Sequence, residues 1–330
     1  TTSLIFIFLQ FAFGVSAGFC VVTSCNVGAH NPAGVRRSLT TQIVLSAALT
    51  VILTVLALLL LDPMLAWINV TPDNGEVYRA AYTYCAILFG GIGAQLFYNF
   101  ICSFLRSMGD SATPLAFLLF STILNVGLDL LFILSFHWGV AGAAIATGLS
   151  QCVGGVLPLA YFLEPNTSLL RLSPTRLRIR PILAACGNGS SELMSNISSS
   201  LVSMLYNFQL MRLAGEDGVS AYGVLMYVQF IFISLFVGYS IGCAPVVGYH
   251  YGAQNHGELK DLLGKSVLLM GGGGVVLTAL AMALAQPMAH LFVGYDAGLF
   301  ALTVHAFRLF AWSFLLAGFN IFTSGFFTAL

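Results

Sequence analysis

The chain has 330 residues, of which 58% are hydrophobic and 7% charged, with formal net charge +0 and a mean hydropathy of +0.92. A soluble domain of this size carries about 25% charged residues to cover its surface, so a water-soluble fold is excluded and the outer surface must face lipid. A transmembrane β-barrel is excluded as well, because its strands alternate polar and apolar residues in segments of about ten, and no such alternation runs through the chain.

Breaking the chain at polar and Gly/Pro clusters gives nine apolar segments: 4–25, 42–67, 80–105, 113–137, 139–163, 182–212, 219–248, 264–293 and 301–330. Each approaches or exceeds the roughly 20 residues that a helix needs to cross a hydrocarbon core. The fold class is therefore all-α and integral to the membrane. Alternate loops hold Arg36 and Arg37, then Arg106, then Arg171, Arg176, Arg178 and Arg180, then Lys260 and Lys265. The intervening loops hold only Arg79 and Arg212. Cytoplasmic loops carry the excess of Lys and Arg, so the first set is expected inside, with residue 1 outside and residue 330 inside. Both ends fall at or within apolar stretches, which reads as an internal piece of a longer chain.

A shift of 224 residues superimposes two stretches of the chain. Gly14, Ser16, Gly18, Val22, Gly28, Ala29 and Asn31 match Gly238, Ser240, Gly242, Val246, Gly252, Ala253 and Asn255, and Pro63-Met64 matches Pro287-Met288. After a three-residue deletion, Asn99 and Ser103 fall on Asn320 and Ser324. Both copies run the same way through the membrane, so the expectation is a parallel repeat of two pseudo-symmetric lobes. The lobes are placed at 1–165 and 181–330, joined by a cytoplasmic linker at 166–180 that carries Pro174 and four arginines.

Two acids lie well inside apolar segments, Asp129 and Glu192. An ionisable group at membrane depth costs about 2.5–3.5 kcal/mol on insertion scales and points to function. Asn125 and Asp129, four residues apart, share a helix face, and Thr147 lies on the next helix at a similar depth, counted from the outer hairpin. Hard oxygen ligands of this kind suit Na⁺, and a desolvated carboxylate suits H⁺. Asn and Thr also serve as hydrogen-bond glue between helices, but that role does not need the Asp129 charge. Glu192 stands in a polar stripe with Asn188, Asn196, Ser199, Ser203 and Asn207, which reads either as the wall of a wet cavity or as close packing of small residues. The seven cysteines are scattered without metal-ligand spacing. With no nucleotide-binding motif, catalytic triad or nucleic-acid motif either, no enzymatic activity, cofactor or nucleic-acid partner is expected.

At Gly109-Asp110-Ser111-Ala112-Thr113-Pro114, Asn125-Val126-Gly127-Leu128-Asp129, the run Trp138-Gly139-Val140-Ala141-Gly142 through Ala146-Thr147-Gly148-Leu149-Ser150-Gln151, and Tyr251-Gly252-Ala253-Gln254-Asn255, the chain resembles the multidrug and toxic compound extrusion (MATE) family. Gly189-Ser190-Ser191-Glu192 is similar to a branch of Gram-positive multidrug exporters. The resemblance implies a monomeric, multi-pass protein of the bacterial plasma membrane, with twelve helices in two lobes of six. Such a protein exports cationic or amphipathic small organic molecules by antiport with Na⁺ or H⁺. The segments correspond to family helices two to ten, so the first and the last two helices lie outside the chain. It further implies a cation-coupling site at Asn125, Asp129 and Thr147, completed by an Asp on the family's first helix. A C-lobe cavity is implied at Glu192, Asn196 and Ser199, and a substrate cavity at Asn99, Gln151 and Asn320. A lipid-linked saccharide flippase of the same superfamily would call for basic residues at membrane depth, where only Arg308 stands. A channel or a non-transporting membrane protein is the remaining alternative, against which stands the lack of a repeat-related partner for Asp129 in the second lobe as far as it is present.

Overall fold

The computed structural model describes residues 2–67, 75–163 and 179–330; at residues 2–12, 67, 76, 156–163 and most of 179–196 only the backbone is described. All described elements are helical: α1 (Thr2–Gly28), α2 (Pro32–Leu59), α3 (Leu61–Trp67), α4 (Glu76–Ser107), α5 (Ala112–Leu130), α6 (Gly139–Leu163), α7 (Ile179–Gly252), α8 (His256–Val293), α9 (Ala297–Ala311) and α10 (Phe314–Thr328). Five of the described helices are long and apolar enough to cross a membrane, and α9 with α10 forms a further span bent by 49°. The chain divides into two compact units, Thr1–Leu193 and Met194–Leu330. Most of the expected linker, 166–180, lies outside the described residues.

The repeat is visible in bond detail. After α1, Ala29 N–H donates to Cys25 O and Asn31 N–H to Asn26 O, each at 3.0 Å, with His30 at φ 49°. After α7, Ala253 N–H donates to Tyr249 O and Asn255 N–H to His250 O, each at 2.9 Å, with Gln254 at φ 56°. The left-handed residue lets the chain return its N–H groups to the last free helix carbonyls. The next Asn then caps the following helix: Asn31 accepts from Gly34 N–H at 2.9 Å and Asn255 from Glu258 N–H at 3.3 Å. These donor–acceptor pairs are related by the same 224-residue shift.

In the first unit, α4 packs against α1, α2, α5 and α6. Phe89, Phe100 and Phe104 fill its buried faces, and hydroxyl groups tie the helices at closest approach. Ser103 Oγ donates to Ser16 O at 2.8 Å, and Thr23 and Ser38 share a 2.7 Å bond between α1 and α2. In apolar surroundings such bonds, with small residues, hold helices that have no hydrophobic drive to associate.

In the second unit, α7 breaks at Gly215 (φ 64°, ψ −151°). Tyr206 and Tyr222 stack at 5.6 Å, which requires the two arms to fold back on each other. One continuous helical stretch thus contains two of the expected segments. The second arm packs on α8 and α9 through Ala221, Val224, Ala289 and Val293. The last expected segment, 301–330, is not one straight helix. A tight i→i−3 turn, with Ser313 N–H on Phe310 O at 2.9 Å, separates α9 from α10.

The Gly215 conformation lies in a region that only glycine occupies without strain. Gly215→Ala is expected to destabilise the second unit by about 1–3 kcal/mol, read as a lower melting temperature of the purified protein in detergent.

Candidate functional site

The helix that carries the site begins at the Gly109–Pro114 motif. Gly109 turns the chain at φ 89°, and the Asp110 carboxylate accepts from the N–H groups of Ala112 (3.1 Å) and Thr113 (3.0 Å). These are orphan donors of the first helical turn, and Pro114 needs none. Hydrogen bonds from Thr113 and Ala112 hold the Asp110 carboxyl below the usual carboxylate range.

At its C-terminal end α5 widens into one π turn, Leu131–Ser135, two residues past Asp129. Phe132, the buried residue of that turn, stacks on Trp138 at 5.1 Å and on Phe136 at 5.9 Å. Gly142 of α6 admits this cluster: a Cβ there would lie 3.1 Å from the Cβ atoms of both Phe132 and Trp138. Nearer the N-terminal end of α5, Ser121 Oγ donates to Ser150 O at 2.8 Å. These two contacts set the antiparallel register of α5 on α6. Asn125 falls opposite Thr147, and Asp129 falls opposite Ala143 and Ala144, one turn or about 6 Å nearer the outside. Thr147 is therefore level with Asn125 rather than with Asp129.

Asn125 and Asp129 are both partly buried, and Asn125 Nδ2 and Asp129 Oδ1 are shielded from solvent without a hydrogen-bond partner. Thr147 Oγ1 donates to Ala143 O at 3.0 Å, which leaves its lone pairs free to accept or to ligate. The one ion pair among the described residues, Lys265–Asp261 at 2.6 Å, involves neither helix. A shielded carboxylate oxygen without a partner is an open acceptor position, of the hard-oxygen type that can ligate a cation such as Na⁺. Among the described residues no cluster of three or more His, Cys, Asp or Glu exists for a transition metal.

The other expected site residues are more scattered. Asn99 on α4 donates to Gln95 O at 2.8 Å, and Gln151 on α6 lies against Gly91 of α4. Asn320 is exposed on α10, in the second unit. Ser199 is exposed and donates to Ser195 O at 2.9 Å, while the side chains of Glu192 and Asn196 lie outside the described residues. Several buried polar residues escaped the sequence reading, Gln42 among them. Gln42 is 2% exposed, and neither its Oε1 nor its Nε2 has a partner. The apolar window opened at 42, so Gln42 stood at a segment edge; the helix in fact begins at Pro32 and buries it.

The MatE family profile matches residues 1–131 and 193–330. A probable multidrug resistance protein of Bacillus subtilis, YoeA, is 26% identical over 330 residues, covering 96% of this chain and 69% of its own. A second from the same organism, YpnP, is 32% identical over 164 residues, covering 50% of this chain and 36% of its own. The fold superposes with a TM-score of 0.90 on the outward-facing conformation of a multidrug resistance MATE family transporter, at 22% identity, over 99% of this chain and 72% of that one.

The lowered Asp110 pKa sets a pH dependence. Its contribution is full above the unfolded carboxylate value, about 4, and is lost as pH falls through the lower folded value. Asp110→Ala is expected to cost about 1 kcal/mol at neutral pH. The gap in melting temperature from the parent should close under acid conditions.

Proposed function

The chain belongs to the MatE family, and from that premise we propose that it is the greater part of a secondary multidrug exporter of a bacterial plasma membrane. It expels cationic or amphipathic small organic molecules in exchange for Na⁺ or H⁺. Its lobes, 1–165 and 181–330, rock to give alternating access to the two sides of the membrane.

The observation that carries this reading is the unpartnered, solvent-shielded Asp129 Oδ1, one turn from Asn125 on one face of α5. A coupling ion shifts a conformational equilibrium only through unequal affinity for the two states. A carboxylate without a counter-charge supplies that inequality, because the state that buries it is disfavoured until a cation or proton arrives. Asp129 carries the charge, Asn125 orients and ligates beside it, and Thr147 adds a hydroxyl oxygen from α6. Asn99, Gln151 and Asn320 present polar groups to the substrate, and Glu192, Asn196 and Ser199 do so from the second lobe. No cofactor takes part.

Ethidium efflux from vesicles holding the full-length protein, under an imposed Na⁺ or pH gradient, tests the reading and identifies the ion. Loss of a charge-assisted ligand interaction is worth about 1.5–3 kcal/mol, so Asp129→Asn should weaken cation dependence about tenfold or more. Unchanged gradient-driven efflux in that variant would remove Asp129 from the coupling step.

A further inference from the structure

Arg308 is a basic residue inside a membrane span, and the coupling site makes no use of it. It lies on α9, 12 residues past the Asp296 cap, about 18 Å along the span that α9 forms with α10. With that cap among the head groups, Arg308 stands well inside a hydrocarbon core about 30 Å thick. Its side chain is exposed, and it forms no ion pair among the described residues. The described acids of the second unit are placed elsewhere. Glu216 and Asp217 follow the Gly215 break, Glu258 and Asp261 begin α8, and Asp296 Oδ1 accepts from Gly298 and Leu299 N–H. A charge at such depth costs about 2.5–3.5 kcal/mol on insertion scales and marks a pathway or a binding site.

Opposite its buried face, α9 carries two exposed strips of different chemistry. Leu302 and Leu309, seven residues apart, make an aliphatic strip that suits lipid. His305, Arg308 and Trp312, at i, i+3 and i+7, make the other, and all three are exposed. Arginine and tryptophan side chains only donate hydrogen bonds, and histidine donates from a ring nitrogen. No acid occurs in α9, so this strip recognises acceptors. The span also breaks here. The tight turn at Ser313 follows Trp312 directly, and α10 starts afresh at Phe314 after the 49° bend. Transporters place substrate groups where a spanning helix is interrupted, and the N-terminus of the second half favours negative charge.

We propose that His305, Arg308 and Trp312 form an oxyanion subsite, which takes the carboxylate, sulfonate or phosphate group of a transported amphiphile. Arg308 supplies the charge and a planar fork of N–H donors that can hold two oxygens at once. His305 and Trp312 donate from the neighbouring turns, and the indole ring offers an apolar face to the body of the ligand. The substrate range then takes in anionic and zwitterionic amphiphiles beside cationic ones. This inference rests on the exporter reading.

The test compares two dyes in phosphatidylcholine vesicles holding the full-length protein under the driving gradient: ethidium, and an anilinonaphthalene sulfonate. The parent should expel both. Loss of a charge-assisted contact should make Arg308→Gln lower the ratio of sulfonate to ethidium efflux about tenfold or more. Arg308→Lys, which keeps the charge but not the fork, should fall between the two; if the Gln variant does not fold, a lowered ratio in the Lys variant carries the test. A parent-like ratio in a folded variant overturns the subsite. If that variant also loses phospholipid that co-purifies with the parent, by mass spectrometry, the oxyanion is a lipid phosphate instead. If it melts lower, Arg308 is the partner of a carboxylate of the protein. A parent that expels ethidium but not the sulfonate rejects the subsite and leaves the exporter reading intact. A parent that expels neither overturns both.

Discussion

In hydrocarbon there is no water to take up a spare hydrogen bond, so a backbone group without a partner costs several kcal/mol. That constraint makes each described element a helix, and it also governs the side chains. Hydroxyls at membrane depth fold back on their own helix, as Thr122 does on Leu118 O, Thr147 on Ala143 O and Thr303 on Leu299 O. Others reach one helix away, as Ser103 does to Ser16 and Thr278 to Ala311. Against that background of satisfied groups the unsatisfied ones are conspicuous. In the first unit they fall on α5, at Asn125 and Asp129, and on α2, at Gln42 and Thr50; in the second, Gln229 and His250 each keep one unpaired atom.

The two sets in the first unit differ in chemistry and therefore in what they can do. Asp129 brings a carboxylate oxygen, which accepts hydrogen bonds or ligates through oxygen. Gln42 brings a neutral amide that can both donate and accept. The α5–α6 hairpin that holds the first is stiffened at its outer end by the Phe132–Trp138 stack on Gly142.

Composition and local pattern are enough to determine a good deal here. Seven per cent charge forces a lipid-facing surface, and the 224-residue register is written residue by residue in Gly14–Asn31 and Gly238–Asn255. The i, i+4 spacing of Asn125 and Asp129 puts them on one face of any helix. Each of these properties is local or additive, so it survives without knowledge of neighbours. Helix ends were less legible. Hydropathy opened the second segment at 42, but Asn31 and Pro32 start that helix ten residues earlier, and the cap is polar.

Tertiary structure alone decided the pairing of those groups. That Thr147 stands level with Asn125 follows from contacts at Ser121 and Gly142, on either side of the pair. That Gln42 is orphaned while Ser266 is bonded turns on the residue across the helix interface, Val15 in one unit and Tyr239 in the other, each 27 positions away in the chain. A repeat preserves the backbone register but not the volumes that meet across it. Sequence therefore determined two like units in a membrane, and packing decided which of their buried polar groups find partners.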